Sequence, residues 1–196
     1  IFTSESEITI QEVIKIMQKE SDDFSSIGKI IYKDKSGKIL DNTHFGDIIM
    51  DLDKLPIPAW DLLPNERYWK IGRPHGGSGK IAGKELKYAS MMTSRGCPFD
   101  CSFCHIADET EKSISGAIGK FRIKSDERVQ KEFTILKNDI GVKQIYIEDD
   151  SLFGMKRRAI RLLKTLVDYG LDLLDVNGVN TIHLVKKSDK PGWMVP

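Results

Sequence analysis

Residues 93–104 of this chain read TSRGCPFDCSFC. The window contains all three cysteines of the 196-residue chain, Cys97, Cys101 and Cys104, in the spacing C-x-x-x-C-x-x-C. An odd number of cysteines cannot pair completely in disulfides, and the disulfides of a secreted fold are spread along the chain. The window therefore predicts a metal site in a reducing compartment, and we expect a cytoplasmic protein.

Three thiolates on one short loop suit one side of a 4Fe–4S cluster, which usually takes four thiolates. The chain has no fourth cysteine, so one iron is expected to stay open to an exogenous ligand, as in reactive metal sites. A structural zinc site is the alternative. It would need a fourth ligand, and His105 directly follows Cys104, while His44, His75 or His183 could reach the site only by folding back.

The sequence on both sides of this window predicts alternating strands and helices. Residues 88–94 are expected to form a buried strand that leads into the cysteines. After the cysteines, the pattern predicts a helix from 125 to about 139, a strand over 142–147, a helix over 156–169 and a strand over 171–176. In the second helix, Ile160, Leu163, Leu166 and Val167 are expected to face inward. Strands that alternate with helices indicate right-handed crossovers and a parallel sheet.

The first half of the chain has a different pattern. Residues 9–18 carry a helical apolar stripe, and residues 28–32 and 38–40 are expected to form a hairpin in which Gly37 supplies the positive φ of the turn. Residues 51–64 contain three prolines and predict an extended linker in which Trp60 packs on the protein. Residues 73–87 are expected to form a glycine-rich and basic loop.

The cysteine window resembles that of the radical S-adenosylmethionine (SAM) superfamily. The resemblance implies that Cys97, Cys101 and Cys104 bind a 4Fe–4S cluster whose open iron is chelated by SAM, and that the cluster cleaves SAM reductively to a 5′-deoxyadenosyl radical. It also implies that Phe103 packs near the adenine of SAM. Gly96 would let the backbone approach the cluster closely.

The end of the second predicted strand is acidic. The resemblance places Glu148, Asp149 and Asp150 where the family binds the SAM ammonium group, which carboxylates can hold by charge-assisted hydrogen bonds. The alternative is that Asp149, Asp150 or Ser151 caps the following helix. The third strand ends in residues 175–180, DVNGVN, which is similar to the Asn-Gly-hydrophobic-Arg of one subgroup but has Asn180 in place of the arginine; a plain turn is the other interpretation.

That subgroup carries a cobalamin-binding domain, and two other stretches resemble it. Residues 51–64 look like its bridge between the cobalamin domain and the radical SAM barrel, and residues 4–7, SESE, look like the end of the cobalamin domain. We therefore expect an α/β fold, a partial (β/α) barrel of the radical SAM type, preceded by a short α+β segment. The expected boundaries are 1–50 for the end of a cobalamin-binding-like domain, 51–87 for the linker and loop, and 88–196 for the first half of the barrel.

The function implied by the resemblance is reductive SAM cleavage followed by methylation or rearrangement of a small molecule, with the 4Fe–4S cluster, SAM and cobalamin as cofactors. A methylthiotransferase-like radical SAM enzyme and a non-catalytic metal or iron–sulfur fragment are the alternatives. A reductant protein such as flavodoxin or ferredoxin is the expected partner. The net charge of +1 offers no field for nucleic acid, and no apolar run reaches the ~20 residues of a membrane span.

Overall fold

The computed structural model of the chain describes residues 1–71, 80–81 and 84–179. His75, Asn180 and His183 lie outside the described residues. The chain divides into two units: the first combines Ile1–Leu55 with Gly96–Arg122, and the second combines Pro56–Arg95 with Ile123 onward. The domain boundaries expected from the sequence, 1–50, 51–87 and 88–196, stay a prediction.

The predicted helices and strands occur in the expected order, and the structure adds further short elements between them, two of them short strands within the loop expected over 73–87. The helices and strands are α1 (Thr9–Met17), β1 (Ile31–Lys33), β2 (Ile39–Asp41), α2 (Asn65–Ile71), β3 (Lys80–Ile81), β4 (Lys84–Glu85), β5 (Tyr88–Met91), β6 (Ser94–Arg95), α3 (His105–Asp108), β7 (Arg122–Ile123), α4 (Asp126–Ile135), β8 (Gln144–Ile147), α5 (Lys156–Asp168) and β9 (Asp172–Asp175). Short 3₁₀ turns lie at Leu52–Lys54, Trp60–Leu62 and Leu152–Gly154, and a π-helical turn at Leu136–Ile140 extends α4. Of the helices described here, none combines the length and the apolar character that crossing a bilayer requires.

The first unit contains the predicted helix and the predicted hairpin. In the hairpin, Tyr32 of β1 pairs with Leu40 of β2 in antiparallel register, and Gly37 has a φ of +84°, which a residue with a Cβ rarely adopts. Arg122 ties the start of this unit to its end, because its Nη1 donates to the Glu5 carboxylate and to the Ile49 carbonyl, both at 2.7 Å. The hairpin pairing and the Arg122 hydrogen bonds therefore hold the segments of the first unit together.

The second unit is organised around a parallel sheet of three strands in the order β5-β8-β9. Ala89 of β5 pairs with Ile145 of β8, which pairs in turn with Leu173 of β9. All four residues of β8 are buried, as expected for a central strand that is covered on both faces. The predicted parallel sheet is confirmed, and its geometry brings the carboxyl ends of all three strands to one edge.

Helices α4 and α5 cover this sheet. The Ser125 hydroxyl caps α4 by accepting a hydrogen bond from the Arg128 N–H, and Gly141, with a φ of +81°, ends the π-helical turn that follows α4, as the sequence predicted. The predicted inward stripe of α5 was wrong in part, because Val167 is 76% exposed and Ile160 36% exposed. The buried stripe is instead Ala159, Leu162 and Leu166. Apolar residues on adjacent helical positions define two overlapping stripes, and only packing against the sheet selects one.

A buried carboxylate holds α4 to the chain before it. Glu132 is fully buried and accepts hydrogen bonds from Lys124 Nζ at 2.8 and 2.7 Å and from Arg128 Nε at 2.6 Å. Arg128 Nη2 also donates to the Pro56 carbonyl at 2.8 Å. Burial lowers the pKa of the Lys124 ammonium, and the hydrogen bonds and charge of Glu132 oppose that shift. This group of buried charges is thus stable only while the Glu132 carboxylate balances the charges of Lys124 and Arg128.

Glu132→Ala is expected to lower the free energy of unfolding by roughly 3 kcal/mol or more, because it leaves two buried cations without their counter-charge. Chemical denaturation at neutral pH measures the change. Arg161→Ala is the control, since it breaks the exposed Arg161–Asp126 ion pair and should have a much smaller effect. Equal effects of the two substitutions would contradict the assignment of Glu132 as a buried counter-ion.

Candidate functional site

The cysteine loop lies in the first unit, directly after β6. Cys97, Cys101 and Cys104 are free thiols, and each is partly exposed. The backbone holds the loop at two points: the Cys97 N–H donates to the Gly119 carbonyl at 3.1 Å, and the Cys104 N–H donates to the Cys101 carbonyl at 2.9 Å. The three partly exposed thiols therefore lie on a loop whose backbone makes two hydrogen bonds at its cysteines.

Gly96 makes this arrangement sterically possible. Its φ is +72°, and a Cβ at this position would lie 2.5 Å from the Gly119 carbonyl oxygen and closer still to that of Lys120. Gly119 is packed as closely, since a Cβ there would overlap the Ile106 carbonyl oxygen. The predicted close approach at Gly96 is thus made to the backbone that follows the cysteine loop. A cavity of about 300 Å³ lies beside this contact, and Cys97, Glu109 and Lys120 are among its lining residues.

The three cysteines supply the donor type of the 4Fe–4S cluster that the sequence implies, and whether they bind one stays a prediction. Each thiolate of such a cluster binds its own iron, so three separate, accessible thiols on one loop are the ligands it requires. In the part of the chain that the structure describes, no three His, Cys, Asp or Glu side chains are grouped so as to hold a metal ion. Phe103, which the resemblance places near adenine, is 91% exposed.

The acidic residues lie in the second unit, at the carboxyl end of β8. Glu148 and Asp150 are partly exposed, whereas Asp149 is fully buried. The Asp149 carboxylate accepts hydrogen bonds from Thr93 and Ser94, which follow β5 at the same edge of the sheet. The structure therefore joins Asp149 to the residues just before the cysteines, a contact that sequence reasoning missed. The pair of hydroxyl residues at 93–94, between a buried strand and the cysteine window, was the signal in the sequence.

Asp175 is a second carboxylate that the sequence analysis did not single out. It ends β9 at this edge, and in the described structure its two buried oxygens accept no hydrogen bond. The neighbouring Asn177 side chain is turned to the backbone carbonyl of Asp149, at 2.9 Å. Desolvation, with a smaller contribution from the negative charge of Asp149, raises the pKa of Asp175 to about 6.

Comparison with known proteins shows which sequences and folds this chain is similar to. No protein-family model matches the chain. An uncharacterized methyltransferase of Pyrococcus horikoshii is 34% identical to it over 174 residues, which are 88% of this chain and 33% of the relative. The structure of the cobalamin-dependent S-adenosylmethionine radical enzyme OxsB matches with a TM-score of 0.56 and 22% identity, over 84% of this chain and 20% of that one. The radical S-adenosylmethionine methyltransferase TsrM from Kitasatospora setae matches with a TM-score of 0.54 and 15% identity, over 85% of this chain and 28% of that one.

The fold of the radical SAM type that the sequence predicted is confirmed, since the chain matches segments of OxsB and TsrM. In sequence, the chain is similar to a methyltransferase. It spans about a third of the length of the P. horikoshii relative. The radical SAM fold explains why the strand ends matter, because parallel α/β barrels place their chemistry at the carboxyl ends of the strands.

Gly96→Ala is expected to destabilise the chain more than Gly37→Ala. Both positions have positive φ, but only at Gly96 does the added Cβ meet backbone oxygens, whereas nothing lies within 4 Å at Gly37. The extra cost should be roughly 1–3 kcal/mol, measured as the difference between the two variants in chemical denaturation. Equal losses would show that the close approach at Gly96 is not required.

Asp175→Asn is expected to stabilise the chain above pH 6 and to have no effect below pH 4. Because the folded pKa of Asp175, about 6, lies above its unfolded value, the carboxyl group favours folding fully at low pH, and this contribution is lost as the pH rises through 6. Solvent screening of a partly exposed group reduces the gain to about 1 kcal/mol. Denaturation from pH 4 to 7 measures it, with Asp172→Asn on the exposed start of β9 as the control. A gain that does not depend on pH would contradict the raised pKa.

Proposed function

We propose that this chain forms the part of a radical SAM methyltransferase that binds the 4Fe–4S cluster and SAM, in an enzyme that also uses cobalamin and acts on a small molecule. The observation that carries the proposal is the loop with three free thiols, in a chain that has no fourth cysteine. The names of the relatives support methylation, since the P. horikoshii protein and TsrM are described as methyltransferases.

In this proposal, Cys97, Cys101 and Cys104 bind three irons of the cluster and leave the fourth iron for SAM. When bound, the cluster supplies the electron that cleaves SAM, and cobalamin supplies methyl transfer. The chain itself holds the thiolates in fixed positions through the Gly96 and Gly119 contacts. Such positioning matters because the position of the bound cosubstrate determines which bond is cleaved.

The SAM-binding residues are assigned by the same proposal. Glu148 and Asp150 are partly exposed at the end of β8, where carboxylates can accept hydrogen bonds from the SAM ammonium group. Asp149 belongs to the same acidic run but is fully buried. Phe103 offers an exposed aromatic face beside the last cysteine, suited to packing on a purine ring.

The class of substrate, the reductant and the location of the enzyme are also part of the proposal. A small-molecule substrate suits the methyltransferase relatives, and TsrM was solved with its tryptophan substrate. A flavodoxin or ferredoxin would deliver the reducing electron in the cytoplasm. A structural zinc fragment is the competing proposal, and the metal content of the purified chain distinguishes the two.

Anaerobic reconstitution of the chain is expected to give about four irons and four sulfides per chain. Cys101→Ala should lose most of this iron because it removes one of three ligands, whereas Ser102→Ala, an exposed neighbour in the same loop, should keep it. In the wild-type chain, SAM should change the EPR spectrum of the reduced cluster. Zinc in place of iron, or full iron retention by Cys101→Ala, would refute the proposed function.

A further inference from the structure

Asp149 lies in a pocket formed by hydrogen-bond donors. Its Oδ1 accepts from the Thr93 N–H at 2.5 Å and the Ser94 N–H at 3.0 Å. Its Oδ2 accepts from the Thr93 hydroxyl at 2.5 Å and the Ser94 hydroxyl at 2.7 Å. All three residues have no exposed surface. One carboxylate therefore satisfies every donor of two consecutive residues.

These four hydrogen bonds use the full capacity of the carboxylate. An ionised carboxyl group offers about four acceptor positions on its two oxygens. In Asp149 each oxygen already receives two donors, and the group is closed to solvent. An ammonium group of a ligand would therefore find neither a free lone pair on Asp149 nor a path to it. Glu148 and Asp150, by comparison, are partly exposed.

A buried cation completes the arrangement. Arg158 Nη2 donates to the Thr93 carbonyl at 2.7 Å, and Arg158 Nη1 lies 3.9 Å from Asp149 Oδ2. The Lys124 N–H donates to the same Thr93 carbonyl at 3.0 Å. Burial lowers the pKa of the Arg158 guanidinium, and the charge of Asp149 is the first influence that opposes this shift. Thr93 is thus held through its N–H, its hydroxyl and its carbonyl.

The residues held in this way lead directly into the cysteine loop. Ser94 is followed by Arg95, by Gly96 with its positive φ, and by Cys97. Fixing the backbone at 93–94 removes conformational freedom from the chain immediately before the first thiol. Residues that orient metal ligands from behind typically change metal affinity 10–100-fold when they are substituted.

We propose that Asp149 is a positioning residue, which holds Thr93 and Ser94 in place and thereby positions the cysteine loop. We also propose that Asp149 is not a ligand of SAM. This inference rests on the proposed function where it concerns the cluster. It divides the acidic run at the end of β8 into one buried residue that orders the chain and two partly exposed residues that can meet a ligand.

The substitution Asp149→Asn distinguishes a positioning residue from a ligand of SAM. Asn Oδ1 can accept from both backbone N–H groups, while Asn Nδ2 can donate to the two hydroxyls, which rotate to accept. Asp149→Asn therefore removes the charge but can keep four hydrogen bonds, with the two hydroxyl bonds reversed in direction, whereas Asp149→Ala removes both the charge and the hydrogen bonds. A positioning residue is rescued by Asn, but a ligand of an ammonium group is not.

The experiment uses the full chain and two measurements. Hydrogen exchange of the Thr93 and Ser94 amides, in the chain without iron, should be at least about tenfold faster in Asp149→Ala than in wild type and nearly unchanged in Asp149→Asn. After reconstitution, Asp149→Ala should bind iron about tenfold or more weakly in competition with a chelator, and Asp149→Asn should stay within about threefold of wild type. The SAM-induced EPR change should persist in Asp149→Asn.

A second variant reaches the same contacts from the other side. Thr93→Val with Ser94→Ala removes both hydroxyl donors and leaves the carboxylate in place, so it should resemble Asp149→Ala in exchange and in iron binding. It also serves if Asp149→Ala does not fold. Loss of the SAM response in Asp149→Asn with normal iron and normal exchange would overturn the inference, as would unchanged exchange in both Asp149→Ala and the double variant. Failure of the wild-type chain to bind iron would refute the proposed function, while amide exchange would still test the hold of Asp149 on residues 93–94.

Discussion

Parallel pairing of β5, β8 and β9 is the constraint on which the second unit depends. Strands that run in the same direction end at the same edge, so three segments far apart in sequence are brought side by side. Each of these segments is polar: Thr93–Ser94 after β5, Glu148–Asp150 after β8 and Asp175–Asn177 at the end of β9. The apolar strands behind them are buried, so the polar groups must find partners at this edge.

The partners differ between the carboxylates, and the difference separates their roles. Glu132 and Asp149 are fully buried and surrounded by donors and cations, as a buried charge requires if it is not to be strongly destabilising. Asp175 is partly exposed, its oxygens accept no hydrogen bond in the described structure, and its pKa rises to about 6. A carboxylate whose acceptor positions are all occupied orders the chain. One without donors has a raised pKa.

Most of the fold could be predicted from the sequence because its signals are local. Apolar periodicity, the Ser125 cap and the Gly141 stop placed α4 correctly, and alternating strands and helices predicted the parallel sheet. The inward face of α5 could not be predicted, because Val167 and Leu166 are both apolar and only contact with the sheet distinguishes them. The close packing of Gly96 against residues 119–120 likewise depends on chain that lies more than 20 residues away.

The sequence by itself determined that three thiols lie in one short window with no fourth cysteine in the chain, and this spacing predicts an iron–sulfur site. It also identified the acidic run as a functional candidate. Only the tertiary structure decided which partners each carboxylate has, because Asp149 meets Thr93 and Arg158 through strand pairing and helix packing. A side chain at a strand end has the same local sequence signal whether it faces solvent or a buried donor, and burial and partners arise only when the strands are assembled.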